Sequence, residues 1–228
     1  HEIKNPLVSI KTFVQVLPRA FDDPEVRSTF CPLIESEVSR IDTVVNHLLN
    51  FARPAKASLQ PTQLHAVLVH TLRLVEPRLR SKGITLETAF DAPTDLIEAD
   101  ASLLEQVFIN LYFNAVDAMS SGGRLRVETS VAQVETGDRD LWGAPVRVRR
   151  LRVTVRDTGH GIRSEDLARV FDPFFTTKSE GSGLGLAIAY GIIQEHRGSF
   201  DVESRVGEGT AFHIAFPLAA PADTGGIL

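Results

Sequence analysis

Three short stretches of the chain carry side chains suited to purine and phosphate chemistry: Asp157-Thr158-Gly159-His160-Gly161, Phe171-Asp172-Pro173-Phe174-Phe175-Thr176-Thr177-Lys178, and Gly181-Ser182-Gly183-Leu184-Gly185-Leu186-Ala187-Ile188. The first places one carboxylate on a tight glycine turn, the second ends in a lysine, and the third runs alternating glycines into an apolar helix. Glycines at 181, 183 and 185 let backbone N–H groups approach an anion with no Cβ in the way. A helix beginning near Leu184 points its positive end at the same place. The combination describes a nucleotide site, with a triphosphate as its guest. A glycine run by itself is most often an ordinary turn, and the dinucleotide fingerprint needs a preceding strand, whereas Phe174 to Lys178 reads as a mobile loop. Three boxes in order outweigh those objections.

A fourth element must position a ligand at such a site. Asp100 is placed to cap a helix from Ala101 to Met119, stopped by Ser120-Ser121-Gly122-Gly123. Leu104, Val107, Phe108, Leu111 and Ala115 cover one flank and Ile109, Tyr112 and Phe113 another, leaving Gln106, Asn110, Asn114 and Asp117 as a polar stripe between them. A helix apolar on both flanks is buried, so the stripe lines a cavity or is satisfied internally. Either asparagine alone reads equally well as a hydrogen-bonded core residue. The pair, one turn apart and set against a glycine-rich anion loop, favours a metal–phosphate role, and Mg²⁺ is the cation that takes few protein oxygens and completes its shell with phosphate and water.

At the other end, Ile3, Leu7, Ile10, Val14 and Leu17 alternate by four and three, the seam of a helix packed in a bundle. Phe21-Asp22-Asp23-Pro24 reads as a turn, and a second helix to about Ala52 carries the seam Phe30, Ile34, Val38, Ile41, Val45, Leu48. The short connection implies an antiparallel hairpin, and two helices bury too little apolar surface alone, so a homodimeric four-helix bundle is expected. Pro6 and Pro18 should bend the first helix locally. His1 and Asn5 fall opposite the seam with Glu2 beside them, which exposes them. A solvated histidine is the bland reading of His1; an adjacent carboxylate able to take a proton and an amide one turn on favour chemistry. No cap residue precedes this helix, so the natural chain is expected to extend upstream.

The chain has 228 residues, 43% hydrophobic and 23% charged, which is ordinary soluble-protein chemistry with room for a substantial core. A net charge of -5 and the absence of a Lys/Arg block give no case for nucleic acid. Cys31 is the single cysteine, so no internal disulfide is possible and a reducing compartment fits. No apolar run approaches the roughly 20 residues needed to span a bilayer and no signal peptide is visible. We read the chain as cytoplasmic, without direct membrane contact in this stretch.

Arg53 to Pro61 holds two prolines and reads as a linker, dividing a hairpin at 1–53 and a linker at 54–61 from a domain at 62–218 and a tail at 219–228. Thr62 is expected to cap a helix to Lys82, ended by Gly83. Ile84 to Phe90, Leu96 to Ala99, Arg124 to Val131 and Val146 to Asp157 read as strands, the last two joined by a polar loop with Trp142. Ser164 to Val170 and Leu184 to His196 read as helices, and Gly198 to Ser204 with Thr210 to Pro217 as a closing hairpin. Strands and helices without regular alternation argue for an α+β chain whose larger part is an α/β sandwich with one mixed sheet.

The chain resembles the two-component sensor histidine kinases. His1-Glu2-Ile3-Lys4-Asn5-Pro6-Leu7 looks like their phosphoacceptor box, and Asn110-Leu111-Tyr112-Phe113-Asn114-Ala115 like their N box. The three stretches from Asp157, Phe171 and Gly181 look like their first glycine box, F box and second glycine box, and the finer likeness is to nitrogen-regulation-type sensor kinases. The resemblance implies a dimerisation and phosphotransfer hairpin joined to a Bergerat-type ATP-binding domain, with ATP and Mg²⁺ as substrate and cofactor. It also implies autophosphorylation of His1, transfer to an aspartate on the receiver domain of a response regulator, and phosphatase action on that regulator.

Carried over by residue, the resemblance makes His1 the nucleophile, Glu2 its proton acceptor and Asn5 the residue that positions water for dephosphorylation. Asn114 would hold Mg²⁺, with Asn110 near the phosphates. Asp157 would accept the adenine amino proton, while Gly159 and Gly161 let the base approach. Lys178 and the N–H groups of Gly183 and Gly185 would face the phosphates, with Gly181 and Leu184 in the same loop, and Phe171 to Gly181 would form a lid. Chaperone- and topoisomerase-type ATPases share the fold but activate water with a glutamate, and Asn110 stands in that place. Arg197-Gly198 replaces a usual Gly-Gly pair, and Pro18 is unusual in the first helix.

Overall fold

Alternation decides the sheet. In residues 124–130 and 151–157, Leu125, Val127 and Thr129 and Leu151, Val153 and Val155 are buried, while Arg124, Arg126, Ser130, Arg152 and Arg156 between them are exposed. Period two with one apolar face is what an antiparallel pair with one solvated side requires. The computed structural model describes residues 4–20, 28, 32–35, 37–38, 41, 57–139, 145–178 and 182–219. Its contacts divide the chain into two compact units, residues 1–55 with 173–185 and residues 56–172 with 186–228.

The second unit is built on five strands in the order β2(Thr85–Phe90), β4(Arg124–Arg139), β5(Pro145–Asp157), β7(Gly209–Pro217), β6(Ser199–Arg205). β2 runs parallel to β4, and the remaining pairs are antiparallel, so the sheet is mixed as expected. A second, two-stranded sheet pairs β1(Gln60–Gln63) with β3(Leu96–Ala99). Helix α2(Leu64–Ser81) packs on α3(Ala101–Ala118), and α3 lies against β4, β5 and β7. Leu104, Val107, Phe108, Leu111 and Ala115 of α3 are buried, so the first apolar flank is enclosed, while on the second Tyr112 is buried and Ile109 and Phe113 are half-buried. α4(Ser164–Leu167) and α5(Gly185–Glu195) complete the order.

Several boundaries differ from the expectation for physical reasons. Thr62 does not cap α2: it lies in β1, and its hydroxyl donates to the carbonyls of Gln60 and Ala99 at 2.9 and 3.0 Å. The helix starts after Gln63, and its orphan N–H groups are taken by Asp95, whose backbone oxygen accepts from Leu64 at 3.0 Å and whose carboxylate accepts from His65 at 2.9 Å. A cap supplied from 30 residues away leaves no local sign. Asp100 caps α3 as expected, accepting from the N–H groups of Ser102 and Leu103, and the Ser102 hydroxyl chiefly holds its carboxyl below the usual carboxylate range. β4 and β5 run beyond the expected strands, to Arg139 and back from Pro145, past the last β7 partner at Arg150. Helix α4 covers only Ser164–Leu167, and α5 starts at Gly185 rather than Leu184.

In the first unit, α1(Lys4–Ala20) is one helix through Pro6 and Pro18. Residues 32–35, 37–38 and 41 are helical. Among the described residues no helix is long and apolar enough to cross a membrane.

The unusual Arg197 has a definite conformation. At the end of α5 its N–H donates to Gln194 at 2.9 Å and that of Gly198 to Ile193 at 2.9 Å, the pair of bonds that closes a helix around a left-handed residue. Arg197 sits at φ 54, where a Cβ is crowded by its own carbonyl. Arg197→Gly is expected to stabilise the protein by about 0.5–1 kcal/mol, the relief of left-handed strain less the extra flexibility of glycine in the unfolded chain, read from urea unfolding midpoints at constant slope. A destabilised variant would show that the arginine side chain contributes more than its backbone costs.

Candidate functional site

Asp157 is the last residue of β5 and shares the inward phase of Leu151, Val153 and Val155, so the alternation that builds the core also carries this carboxylate inward to 4% exposure. Burial is the main influence on it and raises its pKa above the ordinary carboxylate value. The Gly159 and Thr210 N–H groups, His160 and Arg156 oppose that shift without reversing it. The Gly159 N–H reaches Oδ1 at 2.7 Å. A buried carboxyl with a raised pKa and part of its acceptor capacity in use is a poised polar group, the pattern of a binding residue rather than of a solvated surface acid.

The turn that follows is fixed on both sides. His160 N–H donates to the Ala118 carbonyl at 3.1 Å, and a Cβ on Gly159 would come within 2.7 Å of the Ala118 side chain, so only glycine lets the turn meet the end of α3. On the other side, Gly207 N–H donates to His160 O at 2.8 Å, and Ile162 N–H donates to the Ser204 hydroxyl at 2.8 Å. Gly161 adopts φ 72 between these anchors. The structure therefore seats the turn after Asp157, through Gly159 and His160, on the C-terminal end of the helix that carries Asn110 and Asn114, while Gly161 packs against the Arg205 backbone. Both asparagines are half-buried. The Lys82 ammonium donates to the carbonyls of Val116 and Met119 at 2.8 and 3.1 Å and closes that helix end.

Among the described residues no three His, Cys, Asp or Glu side chains gather as a metal cage. A divalent cation held near Asn114 would rely on amide oxygen, water and the phosphates of its ligand, which is the coordination Mg²⁺ accepts and transition metals do not favour. The residues fit Mg²⁺ in that limited sense.

Lys178, Gly183, Leu184 and Gly185 belong with the first unit. There Phe174 N–H donates to Gly183 O at 3.0 Å, closing a loop at its roots. Gly183 stands at φ 64, and a Cβ would meet the Phe174 carbonyl oxygen at 2.7 Å, so the closure requires glycine. Leu184 is buried, its N–H donates to the Ser182 hydroxyl at 3.4 Å, and α5 begins at Gly185. Lys178 is exposed, with its backbone N–H held by the Thr176 hydroxyl at 3.1 Å. His1, Glu2 and Gly181 lie outside the described residues, as do Cys31 and Trp142; Asn5 is in the first turn of α1.

Two histidines escaped the sequence reading. His196 is buried at the end of α5, donating from Nδ1 to the Ile192 carbonyl at 2.7 Å and accepting the Asp100 N–H at Nε2 at 2.9 Å. It thereby joins the end of one helix to the cap of α3. His65 stacks on Phe90 and bonds the buried Thr129 hydroxyl at 2.8 Å. Neither partner is near in sequence, and a lone histidine beside a helix end was the only available signal.

Comparison with known proteins matches residues 99–220 to the model "Histidine kinase-, DNA gyrase B-, and HSP90-like ATPase" and residues 1–56 to the "His Kinase A (phospho-acceptor) domain". The chain is similar to the sensor histidine kinase ZraS of Salmonella typhimurium, 34% identical over 96% of this chain and 44% of that protein. It is 33% identical to sporulation kinase C of Bacillus subtilis over 96% of this chain and 47% of that one. The chain thus spans about half the length of the curated relatives it matches. Among solved structures it is similar to histidine kinase ThkA in complex with response regulator protein TrrA, with TM-score 0.75, 28% identity and coverage of 96% of this chain and 59% of that one. Full-length ShkA in complex with AMPPNP gives TM-score 0.68 at 30% identity, over 86% of this chain and 40% of that one.

The buried carboxylate sets a pH-dependent test. A carboxyl whose pKa is raised on folding favours the folded state fully below its unfolded pKa, and that contribution is lost as pH rises through the folded pKa. Asp157→Asn, which cannot ionise, is therefore expected to melt higher than the parent at neutral pH without nucleotide. The advantage should shrink as pH falls through the raised pKa. Melting curves between pH 4 and 8 check this; a variant that melts lower at neutral pH and recovers in acid would mean that the charge is stabilised by its neighbours.

Proposed function

The chain belongs to the histidine kinases, with their phosphoacceptor domain at residues 1–56 and their ATPase-type domain at residues 99–220, and we propose that it is the catalytic core of a sensor kinase. In this reading it binds Mg·ATP, phosphorylates itself on His1 and passes the phosphoryl group to an aspartate on the receiver domain of a response regulator. The observation that carries it is the desolvated Asp157 on a turn locked to the end of the Asn110–Asn114 helix. The adenine amino group would supply a further donor to a buried carboxylate whose acceptor capacity is only partly in use, and guanine presents a carbonyl there instead.

The neutral His1 imidazole would attack the γ-phosphorus. An N–P bond forms, the bond to the β,γ-bridging oxygen breaks, ADP departs and the ring proton passes to Glu2. Asn114 would hold the Mg²⁺, which when bound neutralises phosphate charge, with Asn110 beside it. Lys178 and the N–H groups of the loop from Gly181 through Gly183 and Leu184 to Gly185 would face the phosphates. Gly159 and Gly161 would leave room for the base. Asn5, one turn after His1, has no pKa with which to take a proton near neutrality, so its role would be to orient water toward the phospho-aspartate of the regulator.

A homodimer is part of the proposal. The seam residues Leu7 and Val14 of α1 remain 51% and 57% exposed in the single chain, and Val38 45%. A second hairpin would cover that stripe. The complex of ThkA with TrrA supports the response-regulator partner.

Incubation with γ-labelled ATP tests the reading: the protein-bound label should be acid-labile and alkali-stable, and His1→Gln should abolish it while leaving ATP affinity within about twofold, since acceptor and nucleotide domains are separate. Labelling that survives in His1→Gln refutes the acceptor. Asn5→Ala should slow dephosphorylation of the regulator by roughly tenfold or more with autophosphorylation nearly intact, and Glu2→Gln should chiefly slow autophosphorylation. Equal damage to both reactions from Asn5→Ala would remove the water-positioning role.

A further inference from the structure

The backbone N–H of Asp100 takes its partner from far away although a neighbour could have supplied one. Asp100 caps α3, and a Glu or Gln at the third helical position would reach back to the N–H of the cap. That position holds Leu103, which has no side-chain acceptor. The N–H goes instead to Nε2 of His196, 96 residues on, at 2.9 Å. Accepting there requires a lone pair, so the ring carries its proton on Nδ1, which donates to the Ile192 carbonyl at 2.7 Å.

The Nδ1 bond is not needed to close α5. The Ile192 carbonyl already accepts the His196 N–H at 3.1 Å, and the N–H groups of Arg197 and Gly198 take the carbonyls of Gln194 and Ile193. What the bond does is orient the ring. Set edge-on to Phe216 at 77° and only 3% exposed, His196 is held with Nε2 aimed at Asp100.

His196 therefore ties the end of α5 to the cap of α3, the helix that carries Asn110 and Asn114. In the chain, α5 follows the glycine loop that ends at Gly185. A helix of 11 residues is stiff, so an anchor at its far end sets where its first turn lies. Ile188, Ala189, Ile192 and Ile193 bury one face of α5, but apolar contact is non-directional and tolerates sliding that a hydrogen bond does not.

We propose that His196 is a positioning residue for the phosphate end of the nucleotide: it holds α5 at the place against α3 that triphosphate binding requires. The assignment rests on the nucleotide reading above and adds to it a buried residue that acts through two helices.

Two substitutions separate its bonds. His196→Gln can set its amide oxygen near the place of Nε2 and accept from Asp100, whereas His196→Asn can set its amide nitrogen near the place of Nδ1 and donate to Ile192 without reaching Asp100. The readout is calorimetry of the whole 228-residue chain with ATP and with adenosine at fixed Mg²⁺. His196→Asn should bind ATP roughly fivefold or more weakly than the parent, with adenosine within about twofold, and His196→Gln should stay within about twofold for both. Leu103→Gln added to His196→Asn gives the Asp100 N–H a local acceptor, so it should raise the melting temperature and leave ATP affinity low. Recovery of ATP affinity in that double variant would make His196 a cap partner only and overturn the proposal. Equal losses in the two single variants, a loss shared equally by ATP and adenosine, or parent-like ATP affinity in His196→Asn would overturn it too. ATP binding that responds to Asp157→Asn and not to His196→Asn defeats the His196 assignment alone. Absence of ATP binding by the parent, or binding indifferent to Asp157→Asn, defeats the nucleotide reading and this assignment with it.

Discussion

The contact on which the ATPase-type unit depends is the seating of the Asp157–Gly161 turn on the C-terminal end of α3. One backbone hydrogen bond, His160 to Ala118, and one absent Cβ, at Gly159, set the height of a buried carboxylate relative to two asparagines on the helix. Strand β5 brings the acid from the sheet and α3 brings the amides from the helical layer, and neither element alone makes a binding surface. The opposite side of the turn is held by the β6–β7 hairpin through Gly207 and Ser204, so a shift of either neighbour would move Asp157. The ends of α3 are tied down to match, with Asp100 and His196 at one and Lys82 at the other.

Burying that acid works against folding. The chain meets the cost by keeping Asp157 in the hydrophobic phase of β5, where Leu151, Val153 and Val155 anchor the strand, and by giving the carboxylate a short bond from the Gly159 N–H. Removing charge from water while leaving acceptor capacity open is unfavourable until a donor arrives, and a ligand that brings one recovers part of the loss on binding. The same logic explains why the site is a strand end rather than a strand centre: a central acid would face a filled core, whereas the last residue of β5 borders a turn.

Much of this was legible in the sequence because it is local. The cap of α3 by Asp100, its two apolar flanks, the stop at Gly83 and the order of the glycine boxes are set by residues within a few positions of one another. What was illegible depended on distant partners. Asp95, in the β2–β3 connection, caps α2, and the expected cap residue Thr62 instead pairs with β3 as a strand residue. The extension of β4 from Ala132 to Arg139 is carried by its pairing with β5, and the sequence suggested a polar loop there. At Arg197 the departure from the family pattern was visible, but only the backbone shows that it imposes left-handed strain.

The same comparison of magnitudes bears on the loop between Phe174 and Gly183. At its roots the Phe174 N–H donates to the Gly183 carbonyl, a bond worth about 1 kcal/mol net in water. Phe174 is in the left-handed region at φ 66 and is 60% exposed. A bulky residue there stores about 1–2 kcal/mol, and an exposed ring recovers little of that through burial. That hydrogen bond and the strain at Phe174 are therefore of similar size. Replacing Gly183 with any larger residue would act on the same contact, since its Cβ would displace the Phe174 carbonyl and break the hydrogen bond from the Phe174 N–H to the Gly183 carbonyl.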